Sequence, residues 1–483
     1  MPAGEDVNFG DVQANFVAGN WVTSKKLIDN INPATGESFA KVSMASLNDL
    51  ERSISQAQKI HESRMLYEMK PHERAAMIYR IGDALHELKP VGAKILCLES
   101  GKRLCDAEDE FDEAVRYFRY YAGMADKLEG RSIPLGAGYI DYTLNMPYGV
   151  TAHIIPWNFP LSIAARSLAP ALAAANCAIV KLPELAPMAA LLLGRACEMA
   201  EVPKGVVSIL CGDGPEIGGA LVRHPDVSQV VFTGSVAVGQ QIMGVLAERV
   251  VPCVTELGGK SGGIVARDAN LKRVLDSVYW GIFFHSGQVC SAMSRLIVPR
   301  EMQDEIIHMI EEEIDSFSVG DGIENNDITP VISEGHLNGI LGSIETGKSE
   351  GARLVRGGHR LNRPGFFVAP TVFADIHTEM TIGKKEIFGP VLALQPYDND
   401  AEALAIANGT DYGLAAGVFT QDIDKAGWFS DRLNAGQVYV NEWYAGGVET
   451  PFGGMKMSGN GRDKGQEAIF NYVQTKNVAI RIG

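Results

Sequence analysis

The chain has 483 residues, of which 46% are hydrophobic and 21% charged, so a largely disordered state is excluded. This length suggests about three domains, or one large divided domain, with a core that needs no disulfide bonds. The formal net charge of −16 predicts an acidic surface that repels phosphate groups, so we expect neither nucleic acid nor a membrane as a partner.

Three features of the chain favour a cytoplasmic location. The N-terminus, MPAGEDVNFGDVQ, is acidic and has no apolar segment, so no signal peptide is predicted. The apolar stretch 163–180 is interrupted by Arg166, Pro170 and Asn176, and no membrane helix fits there. The cysteines are odd in number and form no CxxC pair, which favours free thiols and predicts neither a disulfide framework nor a zinc site.

The first part of the chain is predicted to combine short strands with long helices. Residues 17–42 have the pattern of short strands joined by turns. Residues 47–128 carry apolar residues three and four positions apart, which predicts amphipathic helices. The acidic run 105–114, CDAEDEFDEA, is interpreted as a solvated helix face, with a cation site as the less favoured alternative.

From residue 149 onward, short apolar strands alternate with helices. The predicted strands are 149–155, 177–182, 205–211, 227–232, 250–257, 261–266, 295–299, 352–358, 367–373, 391–397, 415–420 and 436–441. This alternation predicts parallel βαβ units, and therefore two α/β lobes with doubly wound sheets, the first ending near residue 257. The last segment, IFNYVQTKNVAIRI, ends in a strand that can pair with another element or another subunit.

Two glycine-containing turns are candidate dinucleotide sites, because such sheets bind ligands at the carboxyl ends of their strands. Gly212, Gly214 and Gly218 are spaced one residue too widely for the dinucleotide fingerprint, so a plain helix-opening turn explains them equally well. In FTGSVAVG, Ser235 either meets a pyrophosphate or simply caps the following helix.

One charged pair follows a predicted buried strand. Lys181 and Glu184 are three residues apart, and together they could hold the two hydroxyls of a ribose. Taken alone, the same pair is explained more simply as a surface ion pair of little energetic value.

Three further residues suggest nucleophilic catalysis. Cys290 follows a glycine in FFHSGQVCSA, and a loop near helix N-termini would lower its pKa, although a buried structural thiol is the usual case. Glu256 ends an apolar strand before LGGKS, and glutamate is seldom fully buried without a role. Asn158 lies between two prolines in PWNFP, where its amide either stabilises an oxyanion or makes a turn.

Together these motifs resemble those of the aldehyde dehydrogenase superfamily. The resemblance runs from about residue 17 to the end and rests, in order, on PWNFP, KLPE, FTGSVAVG, ELGGKS, GQVCSA, EIFGPV and PFGGMKMSGNGR. It implies an α/β fold of two doubly wound parallel-sheet domains with a small β oligomerisation flap. The implied division is 1–124 and 148–257 for an NAD-binding domain, 258–456 for a catalytic domain, and 125–147 with 457–483 for assembly into a homodimer or homotetramer.

The resemblance also implies a reaction, the NAD-dependent oxidation of an aldehyde to the free carboxylic acid. Cys290 would attack the aldehyde, and the Asn158 amide with the Cys290 backbone N–H would hold the oxyanion. Loss of hydride would leave a thioester, which water activated by Glu256 would hydrolyse. Family members that pass the acyl group to coenzyme A tend to lack this glutamate, so Glu256 favours hydrolysis.

The family's cofactor contacts carry over to a set of positions in this chain, and no metal ion is expected. They are Ile154, Ile155, Pro156, Trp157, Lys181, Glu184, Gly214, Gly218, Phe232, Ser235, Val238, Leu257, Glu386 and Phe388. Glu184 is expected at the adenosine ribose and Glu386 at the nicotinamide ribose. A carboxylate at Glu184 repels a 2′-phosphate, which favours NAD over NADP, although Lys181 acts in the opposite direction.

The small-molecule aldehyde is expected in a tunnel whose lining is also taken from the family. The lining residues are Phe159, Ile163, Arg166, Val289, Tyr444 and Phe452. Arg166 either clamps a substrate carboxylate, as in semialdehyde dehydrogenases, or forms a structural ion pair. Phe284 stands where those enzymes carry a second arginine, so an aromatic or medium-chain aldehyde is preferred and a semialdehyde is the alternative.

Two other possibilities are disfavoured by particular residues. The charge of Arg166 argues against a cationic substrate such as betaine aldehyde. A relative of the same fold that binds ligands without turnover is a different class of function. The presence of Cys290, Glu256 and Asn158 together argues against that class, since a non-catalytic chain need not keep all three.

Overall fold

The computed structural model describes residues 12–482. Most of the N-terminal segment for which no signal peptide is predicted, residues 1–11, lies outside the described part. The helices are α1 (Leu47–Glu62), α2 (Met65–Glu68), α3 (Pro71–Ser100), α4 (Leu104–Ala122), α5 (Pro160–Ala173), α6 (Met188–Met199), α7 (Gly219–Arg223), α8 (Val236–Ala247), α9 (Leu271–Val278), α10 (Gln303–Ser316), α11 (Glu334–Ser349), α12 (Thr381–Lys384), α13 (Asp400–Asn408), α14 (Ile423–Arg432) and α15 (Glu467–Phe470). Among residues 12–482, no helix is long and apolar enough to cross a membrane.

The strands fall into two large sheets and several short ladders. They are β1 (Val12–Gln13), β2 (Asn15–Val17), β3 (Asn20–Val22), β4 (Leu27–Asn32), β5 (Glu37–Ser43), β6 (Tyr139–Pro147), β7 (Val150–Ile154), β8 (Cys177–Leu182), β9 (Val207–Cys211), β10 (Val227–Thr233), β11 (Cys253–Glu256), β12 (Gly262–Val265), β13 (Arg295–Pro299), β14 (Arg353–Arg356), β15 (Thr371–Ala374), β16 (Val391–Tyr397), β17 (Tyr412–Gly413), β18 (Ala415–Phe419), β19 (Gln437–Val440), β20 (Met455–Lys456), β21 (Gly459–Asn460) and β22 (Val473–Arg481).

The first large sheet has the order β21-β11-β10-β7-β8-β9-β2-β3. Its central strands, from β11 to β9, are parallel, and antiparallel strands close both edges. The second has the order β14-β15-β16-β13-β12-β18-β19 and is parallel except for β14. The predicted α/β fold with parallel-sheet domains is therefore confirmed, with antiparallel strands added at the edges.

Two predicted strands begin three or four residues later than the apolar pattern suggested. The strand expected at 250–257 starts at Cys253, and the one expected at 367–373 starts at Thr371. In each case a proline, Pro252 or Pro370, comes immediately before the strand. Proline has no N–H to donate to a ladder, so it marks the point before which pairing stops.

The register of the first sheet brings the ends of four strands to one edge. Ile154 is paired with Lys181 on one side and with Phe232 on the other, and Thr233 is paired with Glu256. The carboxyl ends of β7, β8, β10 and β11 therefore lie side by side. Ligands bind at this edge in doubly wound sheets, and the edge carries several of the predicted site residues.

Helix α5 leads away from this edge and is buried along its whole length. It begins with Pro160 at its first position, directly after Asn158 and Phe159, and proline is favoured there because that N–H has no helical partner. Arg74 on α3 donates to the carbonyl of Ala173 at the other end of α5. Both ends of the helix are thus fixed in the core.

The interpretation of residues 105–114 as a solvated face is wrong for two of its acidic residues. The segment is helical, as predicted, but Asp106 and Glu110 point inward and are buried. Asp106 pairs with Arg103, and Glu110 pairs with Lys102. Burial of these carboxylates is possible because each has a cation beside it.

Candidate active site

The loop that carries Cys290 has an irregular but tightly bonded backbone. A π-helical turn, Tyr279–Phe283, leads into a 3₁₀ turn in which His285 and Ser286 have φ values of 48° and 50°. The Gln288 side chain accepts from the Ile332 N–H at 2.9 Å and donates to the His285 carbonyl at 3.1 Å. Left-handed backbone at non-glycine residues is strained and is typical of functional sites.

The glycines of the ELGGKS segment allow the chain to pass directly behind this loop. A Cβ atom at Gly259 would lie 2.5 Å from the Cys290 carbonyl oxygen, so a larger residue does not fit. The same Gly259 donates its N–H to Glu386 Oε1 at 3.0 Å. The ELGGKS and EIFGPV motifs, distant in sequence, therefore meet beside Cys290.

The Asn158 side chain is held against the same loop. Its Nδ2 donates to the Gln288 carbonyl at 3.0 Å, two residues before Cys290. This bond uses one of the two amide hydrogens and fixes the side-chain direction. The amide keeps a second hydrogen that this bond does not use.

The loop position of Cys290 suggested a lowered thiol pKa, whereas the structure indicates a raised one. Burial raises the pKa of Cys290 to about 11; Arg166 acts in the opposite direction, and Glu386 and Glu256 add to the rise. The expectation of a lowered pKa is therefore wrong for the protein without ligands. The reason is that withdrawal from water penalises the thiolate more than the nearby arginine stabilises it.

Glu256 ends β11 and is buried, and neither of its carboxylate oxygens has a hydrogen-bond partner among residues 12–482. Burial raises the pKa of Glu256 well above its usual value, with Asp463 acting in the same direction and Arg166 and Arg462 opposing. A buried carboxyl group without partners is costly and is expected only where a substrate or a water uses it.

Arg166 forms an ion pair inside the protein. Its Nε lies 2.8 Å from Asp463 Oδ2, and both side chains are buried. Its guanidinium carbon also lies 5.5 Å from the centre of the Phe452 ring. Burial raises the pKa of Asp463, and Arg166 limits that rise. The structural ion pair, one of the two interpretations of Arg166, is therefore present.

Lys181, Glu184 and Gly214 come together at the strand edge. Lys181 Nζ lies 3.1 Å from Glu184 Oε2, while Glu184 Oε1 accepts the Gly214 N–H at 2.7 Å. Gly214 and Gly218 are the first and last residues of a π-helical turn that leads directly into α7. The helix-opening turn, one of the two interpretations of these glycines, is therefore present.

Ser235 caps α8, its side chain accepting from the Val238 N–H at 3.5 Å. The predicted alternative of a plain helix cap is thus realised, and the free N–H groups of the first turn remain at the same edge. Val238 in this turn is exposed. Ile155 and Pro156 follow β7, Leu257 follows β11, and Gly218 ends the π turn.

Trp157 and Phe388 pack edge to face, with ring centres 5.4 Å apart. His336 contacts Trp157 in the same way at 5.3 Å and donates from Nε2 to the Phe388 carbonyl at 2.7 Å. Phe388 has a φ of 61°, which a bulky side chain rarely adopts. This aromatic group fixes the EIFGPV loop against PWNFP.

An aromatic row extends from the protein surface towards Cys290. Phe284 lies 5.6 Å from Trp280, 6.4 Å from Tyr444 and 6.3 Å from Phe159 between ring centres. Tyr444 has a strained φ of 68°. Ile163, Val289 and Phe452, the other predicted apolar lining residues, are buried.

Comparison with known proteins identifies the family. The model of the aldehyde dehydrogenase family matches residues 21–478. The chain belongs to the aldehyde dehydrogenase family. It is 37% identical to the mitochondrial aldehyde dehydrogenase of Equus caballus over 473 residues, which are 97% of this chain and 95% of that protein. The predicted family is therefore confirmed.

Two solved structures of aldehyde dehydrogenases have nearly the same fold. The NAD+ complex of the Bacillus cereus enzyme has a TM-score of 0.96 and 37% identity, covering 98% of this chain and 97% of that one. A betaine aldehyde dehydrogenase from Staphylococcus aureus, in complex with NAD+, has a TM-score of 0.95 and 33% identity, covering 97% and 94%.

Several residues near the predicted aldehyde dehydrogenase site were missed from the sequence. Lys102 and Glu110 were missed because the acidic run around Glu110 suggested a solvated face. Asp463 directly follows the last residue of the motif PFGGMKMSGNGR, so extending that motif by one position would have found it. His336 lies in no motif, and the sequence gives no signal for it.

The raised pKa of Cys290 predicts how the thiol reacts with an alkylating agent. Because only the thiolate reacts, the rate of inactivation by iodoacetamide should rise about tenfold per pH unit from pH 7 to pH 10 without a plateau. Glutathione under the same conditions should level off near its ordinary thiol pKa. A plateau for the protein below pH 9 would contradict the prediction, and labelling of Cys290→Ala corrects for the other cysteines.

Proposed function

We propose that this aldehyde dehydrogenase oxidises an aromatic or medium-chain aldehyde to the free carboxylic acid, with Cys290 as nucleophile, Asn158 as oxyanion donor and Glu256 as base. The observation that carries the catalytic part is the unpartnered, buried carboxyl group of Glu256. A structural glutamate would be expected to have partners, whereas a base that activates water needs free oxygens.

The proposed reaction uses the groups in sequence. The Cys290 sulfur, after losing its proton to solvent, bonds to the carbonyl carbon, and the resulting oxyanion is held by the second Asn158 amide hydrogen and the Cys290 N–H. As the oxyanion re-forms a carbonyl, the C–H bond breaks with loss of hydride, which bound NAD would accept, and a thioester is left on Cys290. Glu256 then takes a proton from a water, which attacks the thioester and releases the acid and the thiolate.

NAD is the cofactor of this reaction, and it supplies the hydride acceptor when bound. Two solved family members, from Bacillus cereus and Staphylococcus aureus, are NAD+ complexes. The residues of this chain fit such a group, since Glu184 and Glu386 each lie at the strand edge as hydroxyl acceptors held by a backbone N–H. We propose that Glu184 binds the adenosine ribose and Glu386 the nicotinamide ribose, with the other carried-over positions around them.

The preference for an apolar aldehyde rests on two features of the tunnel. Phe159, Phe284 and Tyr444 supply aromatic surface on the way to Cys290. Arg166, the only predicted lining residue with a charge, already has Asp463 as its counter-ion. An arginine that is paired inside the protein has less charge to offer a substrate carboxylate, which supports the apolar substrate over a semialdehyde.

The same ion pair changes the argument about cationic substrates. Arg166 alone would repel a cationic aldehyde, but the Arg166–Asp463 pair is neutral as a unit. The solved neighbour from Staphylococcus aureus is named a betaine aldehyde dehydrogenase. Betaine aldehyde therefore belongs in the substrate comparison beside benzaldehyde, hexanal and succinate semialdehyde.

We also propose the predicted domain division and a homodimer or homotetramer built through the oligomerisation segments. Strands β6 and β22 pair antiparallel over their whole length as a ribbon outside the two large sheets, and a bridge between Ser132 and Tyr142 adds a short pairing on β6. Ile140 and Ile480 are exposed on it. A two-stranded ribbon is marginally stable alone, which supports its use as a contact between subunits. The cytoplasmic location stays a proposal, supported by cysteines that are all free in the structure.

The role of Glu256 predicts a burst of product. In Glu256→Gln, thioester formation should remain while hydrolysis slows by about 10²–10⁴, so stopped-flow mixing with NAD and benzaldehyde should give about one NADH per subunit and then slow turnover. Asn158→Ala should slow thioester formation itself and give no burst, and Cys290→Ala should form no NADH. Unchanged steady turnover in Glu256→Gln would exclude it as the base.

The role of Arg166 predicts how substrate preference responds to its removal. Arg166→Met with Asp463→Asn removes both charges together, which avoids leaving one buried charge unpaired. We expect kcat/KM for benzaldehyde and succinate semialdehyde to change by the same factor, within about threefold. A loss at least tenfold greater for succinate semialdehyde would support the alternative function, because an Arg–carboxylate contact would then have been removed.

The ribbon predicts the oligomeric state. Ile140→Glu with Ile480→Glu should place charges in the proposed contact and lower the mass measured by light scattering to that of a smaller assembly. The matched control is Ile423→Glu, at a position on α14 that is 81% exposed and far from the ribbon in sequence, which should leave the mass unchanged. A wild-type protein of 52.1 kDa in solution would contradict the proposal.

A further inference from the structure

A buried ion pair lies directly behind the candidate oxyanion donor. Lys102 Nζ contacts Glu110 Oε2, and the two side chains are 0% and 1% exposed. Lys102 Nζ also donates to the Asn158 carbonyl at 2.9 Å and lies 4.0 Å from the centre of the Phe159 ring. The lysine therefore holds the backbone of the residue whose side chain is expected to meet the substrate.

Glu110 holds the same segment on its other side. Its second oxygen, Oε1, accepts the N–H groups of Leu161 and Ser162 at 3.0 and 3.1 Å. Phe159, at the N-cap position of α5, provides no side-chain cap. Glu110 supplies that cap from α4, and its charge suits the positive end of the helix dipole.

The two charges thus clamp the short segment from Asn158 to Ser162 at both ends. Its freedom is reduced further by His285, whose ring packs against Phe159 with centres 5.5 Å apart. Burial, with Lys102 adding to it, lowers the pKa of His285 well below its usual value, so the imidazole adds no charge to the cluster. His285 also belongs to the Cys290 loop, which places that loop against the clamped segment.

Fold stability alone is a weak reason for such an arrangement. Withdrawing a lysine and a glutamate from water is costly, and an apolar pair of similar size is often as stable or more so. What an apolar pair lacks is a donor for the Asn158 carbonyl and an acceptor for two helix N–H groups. Those contacts fix geometry at a place where a shift of about 1 Å costs about 10²-fold in rate.

We propose that the Lys102–Glu110 pair positions the Asn158 amide for the oxyanion. Neither residue lies among the proposed substrate contacts, so both are positioning residues that act through Asn158. The inference rests on the proposed role of Asn158 in the reaction. It assigns a function to Lys102 and to Glu110, which lies in the acidic run that was interpreted as a solvated helix face.

The test is a double-mutant cycle that removes the clamp and the donor separately. Lys102→Met with Glu110→Gln removes both charges, keeps an oxygen to cap α5, and loses the donor to the Asn158 carbonyl. We expect kcat/KM for benzaldehyde to fall about 10–100-fold, while NAD binding, followed by fluorescence, stays within twofold. In an Asn158→Ala background, the same two substitutions should cost less than twofold, because there is no amide left to position.

A matched control separates this effect from general disturbance of α4. Asp106→Asn neutralises another buried, ion-paired carboxylate one turn earlier on the same helix, and Asp106 makes no contact with residues 158–162. Its kcat/KM should stay within about twofold of wild type. Where this double variant is insoluble, Lys102→Leu with Glu110→Gln serves, since it also removes both charges together. Its loss in kcat/KM must again vanish in the Asn158→Ala background.

The outcomes distinguish the two levels of inference. If the losses in kcat/KM caused by the Lys102→Met/Glu110→Gln pair and by Asn158→Ala were fully additive, the positioning role would be overturned and the proposed function would stay intact. A double variant with wild-type kcat/KM would do the same. If Asn158→Ala itself had no effect on kcat/KM, the oxyanion role would be wrong, and the positioning role would fall with it.

Discussion

Glu256 and Asn158 are buried at the carboxyl edge of the first sheet, and the pKa values of the groups around them depend on that burial. The ends of β7, β8, β10 and β11 lie side by side there, covered by α5 and by the loop that carries Cys290. Burial is the largest cause of the raised pKa of Cys290, of Glu256 and of Glu386. A group that ionises at this edge must be stabilised by a specific partner, because solvent does not do so.

Helix α5 is where such partners are concentrated. At its N-terminus Glu110 caps the helix and pairs with Lys102, and about two turns further along Arg166 pairs with Asp463. Each pair joins α5 to another part of the chain, α4 in one case and the C-terminal segment in the other. The helix that follows Asn158 is thus fixed by two neutral ion pairs, whose geometry is more specific than apolar packing would be.

The sequence predicted the parts of this arrangement that depend on local pattern. Strands such as Cys177–Leu182 were found because a continuous apolar run between turns is typical of a buried strand, and the motifs around Cys290 and Glu256 resembled a known family. The contacts between distant segments were not predictable. Asp463 meets Arg166 only because a C-terminal loop folds over the sheet edge, and the pKa of Cys290 depends on burial that no local sequence reports.

The charges of the site also constrain the order in which its residues act. Burial raises the pKa of Cys290 and that of Glu256, so it disfavours the ionised form of both groups in the protein without ligands. Glu256 also raises the pKa of Cys290, so a thiolate and a carboxylate repel each other in this desolvated space. Two interacting groups of this kind lose their protons in separate steps.

Arg166 lowers the pKa of both groups although it is already paired with Asp463, and Arg462 also lowers that of Glu256. Cys290 and Glu256 share only Arg166 among these cations, and their own charges repel each other. A single negative charge is therefore favoured at any one time. In the proposed reaction, that charge would reside on sulfur before the attack, on the oxyanion while the substrate carbon is tetrahedral, and on Glu256 only after the thioester has removed the charge from sulfur. Electrostatic repulsion between Cys290 and Glu256 would then itself set the order in which the proposed nucleophile and base act.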